Sequence, residues 1–353
     1  MPKPRQKPTI YDISRLAGAS ASTVSASLSG AWRERRISEA TARKVQEIAA
    51  EQGYFTNLQA RGLRRARSGL VGMIMPVHDN RFFSSMSQSF EAHARMRGLC
   101  PVIVSTLRDP AEERRTVETL ISYAIESLLI VGATDPDALE QMCRAAGLRH
   151  VYVDLPGRGA PSVISDNRHG AEMLTRAILD RMPAGGDGEA GGARALPYLL
   201  GGDAGDYASA QRINAFRAVA AERFGPLPEA NVIACGYAPA RASRELAALC
   251  DRLGGLPAGL FVNSLTAFEG VVGHLVTLPP EAFAGTAIGC YDYDPFAAFL
   301  QFPVHMVRQN ADGLIARAFA MLDGGEEAAV VIEVAPDLVA PRTIYKGPFS
   351  ELG

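Results

Sequence analysis

The decisive stretch near the N-terminus reads Pro8-Thr-Ile-Tyr-Asp-Ile-Ser-Arg-Leu-Ala-Gly-Ala-Ser-Ala-Ser-Thr-Val-Ser-Ala-Ser-Leu-Ser29. Four of its apolar residues fall on one face of a short helix: Ile10, Ile13, Leu16 and Ala17. We expect Thr9 to cap the start of this helix, Gly18 to end it and Ser20 to cap a second helix. Two short helices joined by a tight turn are typical of the helix-turn-helix, whose second helix lies in the DNA major groove.

The second helix has a side that faces the first helix and a side that faces outward. Val24 and Leu28 are four residues apart and are predicted to pack on the first helix. The outward side carries small residues that are predicted to contact DNA: Ala21, Ser22, Thr23, Ser25 and Ala26. Tyr11 of the first helix is a further expected DNA contact. The alternative interpretation is an ordinary helical hairpin inside a larger domain.

The charge of the chain is unevenly distributed. Residues 1–69 contain 13 Lys and Arg against 5 Asp and Glu, a net charge of +8, whereas the whole chain has a net charge of −2. Basic side chains gain affinity for DNA by releasing counterions from its phosphates, whatever the base sequence. A merely solvated basic surface would not be expected to coincide with a helix-turn-helix. The first 69 residues are therefore predicted to bind DNA.

A third amphipathic helix and a basic connecting segment follow. The helix is predicted to start at a Ser38 cap and to stop at Gly53, with an apolar stripe of Ala42, Val45, Ile48 and Ala49. Three sequence patterns occur in order between Thr9 and Leu63: Thr-Ile-x-Asp-Ile-x-x-Leu-Ala-Gly, Ser-x-x-Thr-Val-Ser and Gly-Tyr…Asn…Ala-Arg-x-Leu. In these patterns the chain resembles the LacI (lactose repressor) family of bacterial transcription regulators, and the resemblance continues to about residue 345.

The resemblance implies a hinge helix that forms on the operator. In that family a hinge leucine wedges between base pairs in the minor groove and kinks the duplex, which brings more of the DNA into contact. Leu63 occupies the matching position. The neighbouring hinge residues expected to contact DNA are Asn57, Ala60 and Arg61. Gly62 disfavours helix formation, so we expect this segment to be unfolded without DNA.

The predicted recognition helix departs from several relatives in its side chains. Ala21 and Ala26 stand where those relatives carry longer side chains, so hydroxyls supply the expected donors and acceptors for base edges. The next loop, Ala31-Trp-Arg-Glu-Arg-Arg36, is longer than in the shortest family members. Its arginines are expected to contact phosphates: Arg33, Arg35 and Arg36. Trp32 is expected to pack in the core beneath the loop.

Beyond the hinge, short apolar runs alternate with helical patterns. The predicted strands cover residues 69–75, 100–105, 127–131, 150–153, 162–165, 196–200, 232–234, 259–262 and 287–290, and a further strand runs from Val304 to Gln309. Alternating strands and helices indicate βαβ units and parallel sheets. The resemblance implies the two-lobed α/β fold of periplasmic binding proteins, with a ligand in the cleft between the lobes.

The expected domain organisation has three parts. They are an all-α helix-turn-helix DNA-binding domain (1–56), a hinge helix and linker (57–68) and an effector-binding and dimerisation domain (69–353). The first lobe of the last domain is expected to comprise residues 69–168 and 305–335, and the second lobe residues 169–304 and 336–353.

The resemblance also implies which residues bind the effector, at strand ends that face the cleft. They are Phe82, Phe83, Asp166, Arg212, Asn263, Ser264, Asp292 and Gln309. Carboxylate acceptors, guanidinium donors and an aromatic ring face suit a hydroxyl-rich ligand. Structural alternatives exist, because Arg212 and Asp292 could form an ion pair, the two phenylalanines could pack in the core, and Asp166 could fix the lobe junction.

Three features resemble the fructose-repressor (catabolite repressor/activator) branch of the family. They are the extended loop before Ser38, the replacement of the usual aspartate by Ser264, and residues 299–304. The branch responds to fructose phosphates, and a phosphate needs cationic or amide donors. The arginines available for that role are Arg81, Arg168 and Arg212.

Other function classes are disfavoured by composition. The 5 cysteines are scattered without a Cys-x-x-Cys spacing, which indicates reduced thiols of the cytoplasm. The sequence lacks metal-ligand spacing, an 18-residue apolar run and the common nucleophile and phosphate-binding motifs. We therefore expect no enzyme activity, cofactor, metal or membrane contact. The prediction is a homodimeric cytoplasmic regulator of a pseudo-palindromic operator, controlled by a sugar or sugar phosphate. The alternative is the sugar-binding protein of a transport system.

Overall fold

The structure is a computed structural model, and it describes residues 8–54, 68–183, 192–283, 285–325 and 328–342. Contacts divide the chain into two units, Met1–Gly69 and Leu70–Gly353. The hinge residues predicted to contact DNA lie outside the described ranges: Asn57, Ala60, Arg61 and Leu63. Within those ranges, no helix is both long and apolar enough to span a membrane.

The first unit contains three helices with the predicted caps. They are α1 (Ile10–Ala17), α2 (Ala21–Leu28) and α3 (Glu39–Glu51). Thr9 and Asp12 form a capping box, in which each side chain bonds to the other residue's backbone N–H. Ser20 and Ser38 cap the next two helices through their hydroxyls. Gly18 adopts the left-handed conformation with φ 65°, which favours glycine and ends α1 as predicted.

A small apolar core holds the three helices together. Its buried members are Ile13, Ala17, Val24, Val45 and Ala49. The prediction that Leu16 belongs to this stripe is wrong, since Leu16 is 54% exposed. Successive residues turn by 100° around a helix, so Leu16 lies about 100° from Ala17 and falls at the edge of the narrow buried face. Between α2 and α3, Gln46 Nε2 donates to the Ser27 carbonyl at 3.1 Å.

The second unit contains two six-stranded sheets, one in each lobe. The first-lobe strands are parallel: β1 (Leu70–Met75), β2 (Cys100–Ser105), β3 (Ser127–Val131), β4 (Arg149–Val153), β5 (Ser162–Ser165) and β11 (Val331–Val334). Their order in the sheet is β11-β5-β4-β3-β1-β2. The helices of this lobe are α4 (Arg81–Met96), α5 (Pro110–Ser122), α6 (Pro136–Ala145) and α11 (Ala311–Gly324).

The second lobe has the same architecture. Its strands are β6 (Pro197–Leu200), β7 (Val232–Ile233), β8 (Gly259–Val262), β9 (Ala287–Tyr291), β10 (Val304–Arg308) and β12 (Asp337–Val339). The order is β12-β10-β9-β8-β6-β7, and β12 is antiparallel to β10. The helices are α7 (Asn167–Arg181), α8 (Tyr207–Phe224), α9 (Pro239–Leu253) and α10 (Leu265–Leu275). Short 3-10 turns lie at Gly192–Ala195, Glu229–Asn231, Pro280–Phe283 and Pro295–Phe299.

Apolar side chains cover both faces of each sheet. In the first lobe, one cluster packs β-strands against α4 and α11, and another packs them against α5 and α6. In the second lobe, one cluster involves α9 and α10, and another involves α7 and α8. Parallel sheets bury both faces under crossover helices, which is why their strands are almost continuously apolar. The predicted two-lobed α/β fold with parallel sheets is therefore confirmed.

The lobe boundary differs from the prediction at one strand. Residues 305–308 were assigned to the first lobe, but β10 pairs with β9 and β12 in the second sheet. The assignment is wrong because the chain passes from the second lobe to the first after β10, at Gln309, and not before that strand. The sequence prediction also lacks the short strands β11 and β12.

Candidate functional site

The outward side of α2 in the first unit presents a group of hydroxyls. Ser22 is exposed, while Ala21, Thr23, Ser25 and Ala26 are partly exposed. The Ser20 hydroxyl lies 2.8 Å from Ser22 Oγ and 2.9 Å from Thr23 Oγ1. These hydroxyls can both donate and accept, which is the chemistry that base edges require. Tyr11 on α1 is 69% exposed and is also free to contact a ligand.

The loop between α2 and α3 carries exposed cations. The side chains of Arg33, Arg35 and Arg36 are all exposed. The prediction that Trp32 packs in the core is wrong, because it is only half-buried and lies outside the apolar cluster. The Arg33 guanidinium instead lies over the Trp32 ring in a cation–π contact, with its carbon 4.8 Å from the ring centroid. The loop therefore presents positive charge at its surface.

Arg212 is the centre of the candidate effector site in the second unit. The side chain projects from α8 and is 5% exposed. Its Nε donates to Asn167 Oδ1 at 2.9 Å, and its Nη1 donates to the Asn263 carbonyl at 2.8 Å. The guanidinium carbon lies 3.7 Å from the centroid of the Tyr291 ring. Two hydrogen bonds and a ring face hold the planar group in one orientation.

Asp292 follows β9 and belongs to a hydrogen-bond network that includes residues of both lobes. Its Oδ1 accepts from Gln309 Nε2 at 2.6 Å, and its Oδ2 accepts from the Leu265 N–H at 3.2 Å. Gln309 Oε1 accepts from the hydroxyl of Ser165, which ends β5 in the first lobe. Burial raises the pKa of Asp292, against the opposing effects of Arg212 and of these hydrogen bonds.

Asn263 and Ser264 follow β8 and have different surroundings. Asn263 is fully buried; its Nδ2 donates to Ser209 Oγ at 2.9 Å, while its Oδ1 has no hydrogen-bond partner among the described residues. The Ser264 hydroxyl caps α10 by accepting from the Ala267 N–H at 3.2 Å. Ser264 therefore has a structural contact, whereas Asn263 retains an unused acceptor.

Three other predicted effector residues have contacts within the protein. Phe83 is 7% exposed and belongs to the first-lobe core, and Phe82 is half-buried against the same core. Asp166 caps α7, where its Oδ1 accepts from the His169 N–H at 2.9 Å. These contacts favour core packing for Phe83 and a junction role for Asp166.

A second group of polar residues was not predicted from the sequence. On α8, Ser209 Oγ lies 2.8 Å from Tyr237 OH, and both groups donate to Asp206 Oδ2. Arg108 of the first lobe places its guanidinium carbon 5.6 Å from the Tyr237 ring centroid. The only sequence signal for these residues was their location in loops or at the first turn of a helix after a strand.

Asp154 is the fifth unpredicted residue. It follows β4, is 7% exposed and has a φ of 75°, in the left-handed region that rarely suits a non-glycine residue. Burial raises the pKa of Asp154 to about 6, although the charges of Arg108 and Arg212 act in the opposite direction. Backbone strain and a shifted pKa both occur preferentially at functional sites.

The three arginines considered for phosphate binding differ in their surroundings. Arg212 is buried in the site, as described above. Arg81 Nε lies 3.0 Å from Asp294 Oδ2 in an ion pair that joins the first lobe to the second. Arg168 is exposed on α7. The structure therefore does not bring the three guanidinium groups into one buried cluster.

Comparison with protein families identifies both units. Residues 9–57 match the family described as bacterial regulatory proteins, lacI family. Residues 71–275 match the periplasmic binding protein domain. The second match covers more than half of the chain and coincides with the two-lobed unit.

Two curated relatives are repressors. The ribitol operon repressor of Klebsiella aerogenes is 49% identical over 174 residues, which are 49% of this chain and 64% of the relative. The chain thus spans just under two thirds of that protein. The sucrose operon repressor of Klebsiella pneumoniae is 30% identical over 269 residues, which are 76% of this chain and 77% of the relative.

Solved structures share the fold at lower identity. The Cra transcriptional dual regulator from Pseudomonas putida, in complex with fructose 1-phosphate, has a TM-score of 0.66 and 22% identity, covering 77% of this chain and 98% of that one. The lac repressor dimer bound to operator has a TM-score of 0.77 and 18% identity, covering 96% and 99%. With both domain matches in their expected order, the chain belongs to the LacI family of bacterial regulatory proteins.

Proposed function

We propose that this chain is a transcription regulator that binds a pseudo-palindromic operator as a homodimer and has no enzymatic activity. The observation that carries the proposal is the capped helix pair α1–α2, whose outward side presents hydroxyls within a segment of net charge +8. A twofold dimer would place two such helices on two half-sites of the DNA. We place the regulator in the cytoplasm, where its operator would be.

The proposed DNA contacts fall into two groups. Base edges would be read from α2 by the hydroxyls of Ser22, Thr23 and Ser25, with methyl contacts from Ala21 and Ala26. Phosphates would be bound by Tyr11 and by the exposed loop arginines Arg33, Arg35 and Arg36. By the family resemblance, the hinge would contact the minor groove through Asn57, Ala60, Arg61 and Leu63. The DNA-binding domain, the hinge and the effector-binding domain would comprise residues 1–56, 57–68 and 69–353.

The second unit is proposed to bind a small hydroxyl-rich effector in its cleft. Arg212, Asn263, Asp292 and Gln309 supply fixed donors and acceptors where the strands of both sheets end. Two relatives are named for ribitol and sucrose, and one solved neighbour holds fructose 1-phosphate. These names support a sugar or polyol as the class of effector.

Contacts between the lobes provide a route from effector to operator. Gln309 bonds to Ser165 on one side and to Asp292 on the other, and Arg81 pairs with Asp294 across the same gap. A ligand that binds better to one lobe angle would shift the population toward that angle. The change in angle would alter the spacing of the two DNA-binding units in the dimer and so the operator affinity.

Footprinting on the DNA upstream of the chain's own gene tests this proposal. We expect the full chain to protect a pseudo-palindromic site of two half-sites. A Ser22→Ala, Thr23→Ala double variant should lose the specific footprint, because these two α2 residues, one exposed and one partly exposed, supply hydroxyls proposed to read base edges. Ser122→Ala in the second unit serves as the control. Protection without sequence preference, or no protection at all, would contradict the proposal. The transport-protein alternative is not favoured, since residues 9–57 match the lacI family of regulators.

A further inference from the structure

A cavity of about 280 Å³ lies in the first lobe, away from the effector cleft. Its walls come from α6, the start of β4, the loop that precedes β5 and the end of α11. All strands of this parallel sheet begin at one edge and end at the other. The cavity lies at the edge where strands begin, whereas Asp154 and Ser165 lie at the opposite edge, where β4 and β5 end. Its lining is therefore separate from the residues assigned to the effector site.

The acidic residue of the lining, Glu140, has both carboxylate oxygens engaged. Its Oε2 lies 2.8 Å from His150 Nε2, and its Oε1 accepts from Arg144 Nε. The side chains of Glu140 and His150 are 12% and 6% exposed, so this pair is built into the wall. Burial acts to raise the pKa of Glu140, but the hydrogen bonds from His150 and Arg144 outweigh it and lower that pKa. Glu140 is therefore ionised at neutral pH, and its charge is already balanced within the protein.

Arg149, the first residue of β4, has unused hydrogen-bond donors. Its Nη1 donates to the Leu322 carbonyl near the end of α11, at 2.9 Å. Its Nε and Nη2 have no acceptor among the described residues. These two nitrogens share one edge of the guanidinium plane, and such an edge binds a carboxylate or a phosphate through two parallel hydrogen bonds. The bond to Leu322 thus orients the group and leaves its bidentate edge available.

Arg144 adds a second cation to the lining. Its Nη2 donates to the Gly159 carbonyl and its Nε to Glu140, while its Nη1 has no acceptor within the described ranges. Arg144 and Arg149 contribute two positive charges against the single negative charge of Glu140, so the three side chains carry a net charge of +1. Their remaining hydrogen-bonding capacity consists of donors. The charged part of the lining therefore favours an anion.

The remaining wall is formed by apolar side chains and glycines. Leu148 and Ala160 are buried residues that line the cavity. Gly159 allows the loop before β5 to approach closely, since a Cβ there would lie 2.8 Å from Glu140 Oε1. Pockets for drug-sized ligands usually exceed about 300 Å³, so this cavity suits a smaller molecule. A short carbon skeleton could lie against Leu148 and Ala160 while its charged group meets the arginines.

We propose that this cavity is a second ligand site, which binds a small organic anion through a carboxylate or phosphate group, with Arg149 as the bidentate contact and Arg144 as the second cation. The site goes beyond the proposed effector cleft and requires no residue of it. The alternative is that these arginines only neutralise backbone carbonyls near the ends of helices, as basic side chains often do. In that case no anion binds at the cavity.

Calorimetry on the full chain tests the site with three anions and an uncharged control. The anions are inorganic phosphate, 3-phosphoglycerate and succinate, which separate phosphate from carboxylate recognition, and the uncharged control is glycerol. We expect at least one of the anions to bind and glycerol to give no signal. A chain that binds none of the three anions would overturn the proposal.

An Arg149→Gln variant assigns the binding to this cavity. Loss of the charge and of the bidentate edge should weaken the bound anion by about tenfold or more. Arg115→Gln is the matched control, because Arg115 lies on α5 of the same lobe, is 62% exposed and pairs with Glu112 of its own helix. Arg149 is exposed, so the variant should keep the melting transition of the unmodified chain. Anion affinity that Arg149→Gln leaves unchanged would overturn the proposal.

Two further results separate this site from the cleft and from the regulator. Arg212→Lys should leave the anion affinity unchanged, and loss of anion binding in that variant alone would place the anion in the cleft and overturn the proposal. An operator footprint without any anion binding would contradict this site and leave the regulator intact. Anion binding that depends on Arg149, without DNA binding, would contradict the regulator and leave this site intact.

Discussion

Gln309 Nε2 donates to Asp292 Oδ1 at 2.6 Å, at the point where the chain leaves the second lobe for the first. Because Gln309 also accepts from the Ser165 hydroxyl at the end of β5, one side chain connects the ends of both sheets. Gln309 and Asp292 are both more than nine-tenths buried. The pair therefore couples the lobes and satisfies a buried carboxylate at the same time.

Replacing Gln309 should destabilise the second unit. Gln309→Ala leaves one oxygen of the buried Asp292 carboxylate without its donor, so we expect the free energy of unfolding to fall by about 2–3 kcal/mol. Urea denaturation followed by circular dichroism measures the change. Gln301→Ala is the control, because Gln301 is exposed, and this variant should unfold like the unmodified chain. Equal stability of the two variants would show that the contact between Gln309 and Asp292 contributes little.

Arg212→Lys should weaken effector binding although the positive charge is kept. A lysine cannot donate in two fixed directions, so the bonds to Asn167 Oδ1 and the Asn263 carbonyl cannot both be retained. We expect ligand affinity, measured by calorimetry, to fall by at least about tenfold. Arg217→Lys on the same helix is the control, since Arg217 pairs with Glu229 at the surface. An Arg212→Lys variant that binds like the control would argue against this geometry.

Asp154→Asn should make the protein more stable at high pH. In the folded chain the pKa of Asp154 is about 6, above its ordinary value of 3.8, so the folded state holds this proton more tightly than the unfolded state. Burial is the main cause; Arg108 and Arg212 oppose it, and Asp206 and Asp292 add to it. Above pH 6 the ionised group lowers stability, by up to about 3 kcal/mol, and this cost disappears as the pH falls from 6 to 4.

The measurement is the free energy of unfolding between pH 4 and pH 8. Asp154→Asn should exceed the unmodified chain at pH 8, and the difference should close near pH 4. Asp137→Asn should follow the unmodified chain throughout, because Asp137 is exposed. A variant less stable than the unmodified chain at pH 8 would indicate that ionised Asp154 stabilises the fold.

Gly202→Ala should displace Asn263. A Cβ at Gly202 would lie 2.1 Å from Asn263 Nδ2, and its φ of 75° disfavours other residues. Strain and the lost Asn263 bond to Ser209 should together lower stability by about 2–4 kcal/mol and weaken ligand binding. Gly205→Ala is a nearby control, whose added Cβ would meet its nearest atom, Asp203 Oδ1, at 3.4 Å. Thermal melts and calorimetry of the two variants compare them directly, and matching behaviour would refute this account of Asn263.

The sequence predicted local features better than distant ones. The caps Thr9, Ser20 and Ser38 were predicted because capping depends on neighbouring residues. Leu16 was misplaced because the width of a buried face depends on how closely other helices approach. The strand β10 was predicted, but which sheet it joins depends on a pairing with β9 and β12 that has no local signal.

The candidate site shows the same limit. Arg212, Asn263, Asp292 and Gln309 were found because the family resemblance points to their positions, and the structure brings them together. Asp154 was missed, since a single aspartate after a strand forms no motif. Its burial and its left-handed backbone, with φ 75°, both depend on tertiary packing.

The most direct test of the regulator is the affinity of the full chain for its own upstream DNA, measured by fluorescence anisotropy across a salt series, with and without a polyol. We predict specific binding with an association constant whose logarithm falls linearly with the logarithm of the salt concentration, with a slope of about −0.9 for each phosphate neutralised. We also predict that a neutral polyol shifts this affinity by at least about fivefold. Absence of specific DNA binding, or specific binding that no cleft ligand changes, would contradict the account.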